Sequence, residues 1–135
     1  NPAKEYSMKK EIVSTAAAPK AVGAYSQGVR IEAARLWYFS GQIAIDPATG
    51  RLVDGDAAAQ ASRIIANIAA LLADQGLTAA NVVKTTIFLT DIADFQAVNA
   101  VYAGFFAEAL PARSCVAVSA LPLGANVEIE VIAAE

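Results

Sequence analysis

From residue 56 to residue 75 the apolar side chains Ile64, Ile65, Ile68, Leu71 and Leu72 recur at spacings of three and four, the repeat of one α-helix face. The same segment opens with what reads as an acidic first turn and is stopped by Gly76. A second helical stripe, Phe95, Val98, Val101, Tyr102, Phe105 and Phe106, predicts a helix over 94–109, which Pro111 prevents from continuing. Elsewhere the period falls to two. Residues 82–90 alternate Val83, Thr85, Ile87 and Leu89 with Val82, Lys84, Thr86 and Phe88, so this strand has apolar groups on both faces and needs cover on each. Further strands are predicted over 28–33 and 36–43, expected to pair as a hairpin, then over 113–120 and 127–133, joined by 121–126; the residues 46–50 read as a turn. The order is strands, helix, strand, helix, two strands. It predicts an α+β sandwich with a mixed sheet and both helices on one sheet face, leaving the other face for a partner subunit.

Composition sharpens that expectation. Of 135 residues, 56% are hydrophobic and only 17% charged, a lean surface for a chain of this size and a reason to expect a homo-oligomer. The length fits one domain, 8–135, with 1–7 read as an added tag or a mobile tail. A net charge of −3 and scattered Lys and Arg supply no basic field for phosphates, so nucleic acid is not an expected partner. The absence of histidine excludes Ser-His-Asp and Cys-His catalysis and imidazole-bound metal. Cys115 is the single cysteine and allows no internal disulfide, and no apolar run is long enough to span a bilayer as a helix. These features fit the cytoplasm, with no membrane partner.

The chemistry centres on residues 111–118, PARSCVAV. Arg113 stands at the mouth of an otherwise apolar strand, and its permanently charged planar fork matches a carboxylate with two parallel hydrogen bonds. Two readings of Arg113 are open: an anchor for a small carboxylate, or one half of a surface ion pair with Glu128 or Glu130 of the next strand. Cys115 lies two residues on and so shares its sheet face. Glu128 and Glu130 also share one face, so geometry does not separate them as candidate bases.

Six short strings, GAYSQ at 23–27, SGQI at 40–43, VKTT at 83–86, Val98 with Asn99, PARSCV at 111–116 and VEIE at 127–130, occur in an order and spacing that resemble the Rid family of reactive-intermediate deaminases, of the RidA type, over roughly residues 10–133. The resemblance implies a chorismate-mutase-like α+β fold assembled as a homotrimer with clefts between subunits. It implies hydrolysis of 2-imino acids and their enamine tautomers, such as 2-aminoacrylate, 2-iminobutanoate and 2-iminopropanoate, to 2-keto acids and ammonia, with no cofactor or metal. On it, Arg113 would hold the substrate carboxylate and Glu128, rather than Glu130, would activate water. Tyr25 would cover the substrate, and Ser40, Gly41, Asn99 and Cys115 would line the cleft, Gly41 by allowing close backbone approach. Cys115 is read as a small apolar wall rather than a nucleophile.

Two features depart from the family pattern. Ala24 replaces a proline that commonly precedes the tyrosine, which should loosen the Tyr25 loop, and the link from Phe106 to Pro111 is short, which should reshape one lip of the cleft. Two rival functions come from other classes. One is the endoribonuclease or translation-inhibitor activity with which the family has also been labelled, against which the negative charge and missing histidine argue. The other is a non-catalytic trimer that binds small carboxylates.

Overall fold

A computed structural model describes residues 8–135; residues 1–7, read above as a tag or tail, lie outside the described residues. The structure is α+β. Its centre is a four-stranded mixed sheet in the order β3 (Leu36–Tyr38), β8 (Val127–Ala134), β6 (Val82–Leu89), β7 (Ala112–Ala117). β6 runs antiparallel to β8 and parallel to β7. The helix α2 (Phe95–Phe106) makes the crossover from β6 to β7 that a parallel pair requires, and packs beside α1 (Ala57–Asp74).

The alternation read from the sequence decides what lies between helices and sheet. Thr85, Ile87 and Leu89 of β6 and Val127, Ile129, Val131 and Ala133 of β8 are all buried. They pack against Ala61, Ile64, Ile68 and Leu72 of α1 and Val98, Tyr102 and Phe106 of α2 in one core. The opposite face carries Tyr38, Lys84, Thr86, Phe88, Val116, Glu128, Glu130 and Ile132, which are half-buried or exposed. Both helices therefore cover the same side, as expected.

Several boundaries differ from the sequence reading. The strand expected at 28–33 does not pair with 36–43. Instead β2 (Gly28–Glu32) pairs antiparallel with β1 (Lys9–Val13), a strand the sequence reading did not assign, helped by the cross-strand pairs Lys9–Glu32 and Arg30–Glu11. β3 is drawn to the edge of β8 because Trp37 and Phe39 pack on the core. Its ordered part is short, but the chain follows β8 as far as Gln42. The turn at 46–50 is flanked by two further short strands, β4 (Ile45–Asp46) and β5 (Arg51–Leu52). α2 ends at Phe106, three residues early, and β7 stops at Ala117.

The long helix is held at both ends by local chemistry. Its first turn contains no acid; the acid is Asp56, which sits at the N-cap and accepts from the Ala59 amide at 2.9 Å. At the other end Gly76 takes φ +71°, its amide donates to Ala73, and the Leu77 amide donates to Leu72 while both leucines bury their side chains. This pairing satisfies carbonyls that the helix itself cannot.

Two glycines therefore predict opposite outcomes. At both Gly76 and Gly104 an added Cβ would meet open space, but Gly76 is left-handed whereas Gly104 lies inside α2. Gly76→Ala should lose about 1–2 kcal/mol, and Gly104→Ala should gain about 0.5–1 kcal/mol, both read from urea unfolding midpoints at unchanged slope.

Candidate functional site

Arg113 emerges from β7 beside Thr85 of β6, on the helix-covered face, and reaches into the gap between the sheet edge and α2. There its Nη1 donates to Asn99 Oδ1 at 2.6 Å. Its guanidinium carbon lies 4.9 Å from the ring centres of Tyr25 and Tyr102 and 5.6 Å from that of Phe95. Phe95, Asn99 and Tyr102 stand at i, i+4 and i+7 of α2, so one helical stripe supplies three of these four neighbours.

None of those neighbours is an anion. Among the described residues the ion pairs are Lys9–Glu32, Arg30–Glu11 and Arg35–Glu135, and Arg113 enters none of them. The reading in which Arg113 closes a surface ion pair with Glu128 or Glu130 is thereby overturned. Strand register gives the reason. Thr85 aligns with Arg113, whereas Phe88 aligns with Glu128 and Thr86 with Glu130, so both acids project from the opposite face of the sheet.

Beside the guanidinium opens a cavity of about 630 Å³, walled by Val22, Gly23, Tyr25, Ile92, Ala93, Phe95, Gln96, Asn99, Arg113 and Cys115. Cys115 aligns with Ile87 and shares the Arg113 face, as its spacing of two required. Burial pushes its thiol above the ordinary value, and the Arg113 charge only partly opposes this. At neutral pH it is a protonated wall of the cavity.

Local hydrogen bonds shape the Tyr25 loop. The Tyr25 amide donates to Gly23 O at 2.8 Å and the Val22 amide to the Tyr25 hydroxyl at 3.4 Å. Behind it the buried Ser26 donates through Oγ to Leu110 O at 2.7 Å, and Ser26 bridges to Ala112 at the start of β7. Leu110 itself takes φ +48°, which lets the short link turn from α2 into β7.

Of the residues singled out in the sequence, the chain gathers Tyr25, Asn99, Arg113 and Cys115 around one cavity. Ser40, Gly41 and Glu128 form a second group on the other face. Phe39 N donates to Val131 O and Gln42 N to Ile129 O, so two residues, Ser40 and Gly41, stand opposite Glu130 alone, in the manner of a β-bulge. The bulge lays Gly41 on Glu128. A Cβ there would collide with the carboxylate, 2.8 Å from Cδ and 3.1 Å from Cγ, so what the missing side chain admits within this chain is the acid itself. The sequence reading missed Phe95 and Tyr102 as site residues, having placed both in the helix core. The signal was Asn99, the polar member of an otherwise apolar stripe.

The profile of the family described as Endoribonuclease L-PSP matches residues 15–135. Protein DfrA of Myxococcus xanthus is 50% identical over 126 residues, covering 93% of this chain and 96% of that protein. The 2-iminobutanoate/2-iminopropanoate deaminase of Bos taurus is 46% identical over 129 residues, covering 96% and 93%. Among solved structures, the Yersinia pestis protein YyfA, described as of unknown function in the conserved Rid protein family, superposes with a TM-score of 0.73 at 47% identity, over 94% of this chain and all of that one. Fold, motif order and these matches together make the chain a member of the Rid family, the group to which the endoribonuclease L-PSP description also applies.

Proposed function

We propose that the chain, as a single Rid-type domain over 8–135, is a hydrolytic deaminase of small 2-imino acids and their enamine tautomers, releasing a 2-keto acid and ammonia. One observation carries the proposal: a half-buried guanidinium with no carboxylate partner among the described residues, steadied by an amide and aromatic rings, at the head of a cavity. Its charge is therefore available to a carboxylate that comes from outside. The family membership and the deaminase relatives support the reaction class.

Arg113 would take the substrate carboxylate through its fork and fix the imine carbon in the cavity. An enamine first gains a proton at C3 and becomes the imine. Water then adds at C2 as its proton passes to a carboxylate, which hands that proton to the nitrogen. The carbinolamine collapses as its O–H proton follows the same route to the nitrogen, C=O forms, the C–N bond breaks, ammonia leaves and the keto acid remains. Imines already hydrolyse in water, so general acid–base help of about 10² to 10⁴ is enough.

Glu128 is the proposed acceptor of the water proton, supplied by a neighbouring copy. Two features support this: Glu128 and Arg113 of one chain lie on opposite sheet faces, and the Glu128 face exposes Leu36, Tyr38 and Val116 where a subunit could cover them. A homotrimer with its clefts between subunits satisfies both. A binding trimer without turnover is the second reading, favoured by the fact that one chain assembles only the anchoring half of the site. Endoribonuclease action fits less well, because a single cation among aromatic and aliphatic walls suits one carboxylate, not a phosphate chain.

Imine clearance tests the proposal: 2-iminobutanoate is generated in situ from threonine by a threonine dehydratase, and keto-acid release is followed with and without the protein. Arg113→Ala should lose about 30- to 1000-fold in kcat/KM, the scale of a charge-assisted fork. Near-normal turnover in that variant would remove the anchor. Glu128→Gln should lose turnover yet still bind 2-oxobutanoate; undiminished turnover dismisses it as the base. Mixing the two inactive variants and refolding them together should restore about one cleft in four by random assembly, each cleft drawing its two residues from different copies. No recovery in mixed oligomers verified by native mass spectrometry would rule out the shared site. Gly41→Ala should displace the Glu128 carboxylate, with turnover falling about 100-fold while 2-oxobutanoate affinity stays within about threefold.

A further inference from the structure

Below Arg113 lies a pair of hydroxyls that the reaction does not call upon. Thr85 sits in the middle of β6, directly beside Arg113 in the ladder, and is fully buried. Tyr102, also fully buried, reaches down from α2, and its hydroxyl lies 2.7 Å from Thr85 Oγ1. Valine and phenylalanine would fill the same volume without bringing polar atoms into the core, where each must find a partner or cost free energy. The Tyr102 ring, in turn, lies 4.9 Å from the guanidinium carbon of Arg113.

An arginine head at the end of a long flexible stem presents two parallel N–H groups only if its plane is held. Asn99 holds one corner, at Nη1. A single hydrogen bond leaves rotation about that contact free, so a second constraint is needed, and the ring of Tyr102 supplies a flat surface for it. The ring can do so only if it is itself fixed, and the bond to Thr85 ties its far end to the strand from which Arg113's neighbour projects. Burial raises the phenol's pKa, while the Thr85 bond and the nearby Arg113 charge and donors act the other way. In its neutral form the phenol contacts the cation without cancelling it.

We propose that Thr85 and Tyr102 are positioning residues, whose hydroxyl pair sets the plane of the Arg113 guanidinium and thereby the affinity of the site for a substrate carboxylate. This rests on Arg113 being the carboxylate anchor. The pair acts on binding and not on the chemical step, which separates it from a merely structural contact.

The experiment titrates 2-oxobutanoate by calorimetry into the full-length wild type and into Thr85→Val, Thr85→Ser, Tyr102→Phe and the double variant Thr85→Val with Tyr102→Phe, with KM, kcat and melting temperature measured on each. Thr85→Val and Tyr102→Phe should each raise Kd and KM by about 5- to 20-fold, the scale of one lost buried hydrogen bond, and leave kcat within about threefold. The double variant should be no weaker than either single one, because both remove the same bond. Thr85→Ser, which keeps the hydroxyl, should regain most of the affinity lost in Thr85→Val. Lowered melting temperatures with Kd and KM unchanged would overturn the proposal and leave the pair a packing contact, as would a fall in kcat at constant KM. Wild-type protein that neither binds the keto acid nor clears imine would overturn the functional reading and this inference together; wild-type binding that both variants retain would overturn the inference alone.

Discussion

A positive charge half withdrawn from water, with no negative charge beside it among the described residues, is the constraint around which this molecule is arranged. Dehydrating a guanidinium is costly, and proteins usually offset that cost with a carboxylate. Here the compensation is divided among the Asn99 amide and the faces of Tyr25, Tyr102 and Phe95. Each contact between a cation and a ring is worth about 0.5–2 kcal/mol depending on how dry it is. Such partners stabilise the cation without saturating it. Three of them stand on one stripe of α2, the helix that joins β6 to β7.

The sheet has a second role beyond carrying the core. Side chains on neighbouring strands share a face when they align in register, and here register puts the arginine with the helices and the acid with the bare side. An arginine and a glutamate free to meet in one chain would neutralise each other, and neither would be left for a ligand. The sheet keeps them apart, and the bulge at Ser40 and Gly41 shapes the backbone over the acid on its own side.

Much of this was legible in the sequence, for identifiable reasons. Period and stop signals located α1, whose N-cap Asp56 and C-terminal Gly76 act within one turn of the helix ends. A spacing of two put Cys115 on the Arg113 face whatever the sheet looked like. The failures involve partners distant in the chain. The ladder between β1 and β2 joins residues on either side of a loop from 14 to 27, and the edge position of β3 is set by β8 near the other end of the chain, so local pattern favoured the nearer pairing of 28–33 with 36–43. The separation of Arg113 from Glu128 was equally hidden. Each strand's alternation was visible, but which phase of one strand matches which phase of another depends on register. Phe95 and Tyr102 were concealed by their own apolarity, since core packing and a cation's cage ask for the same residues.

The tie from Ser26 to Leu110 joins two pieces of chain that a reader of the sequence would treat as independent. One carries Tyr25; the other is the link from α2 to β7. Because a buried hydroxyl fastens them, an insertion or deletion after α2 shifts the carbonyl that Ser26 grips and carries the tyrosine with it. A change of length in that link would therefore act on the cavity wall at Tyr25, through a contact that does not involve the charged anchor.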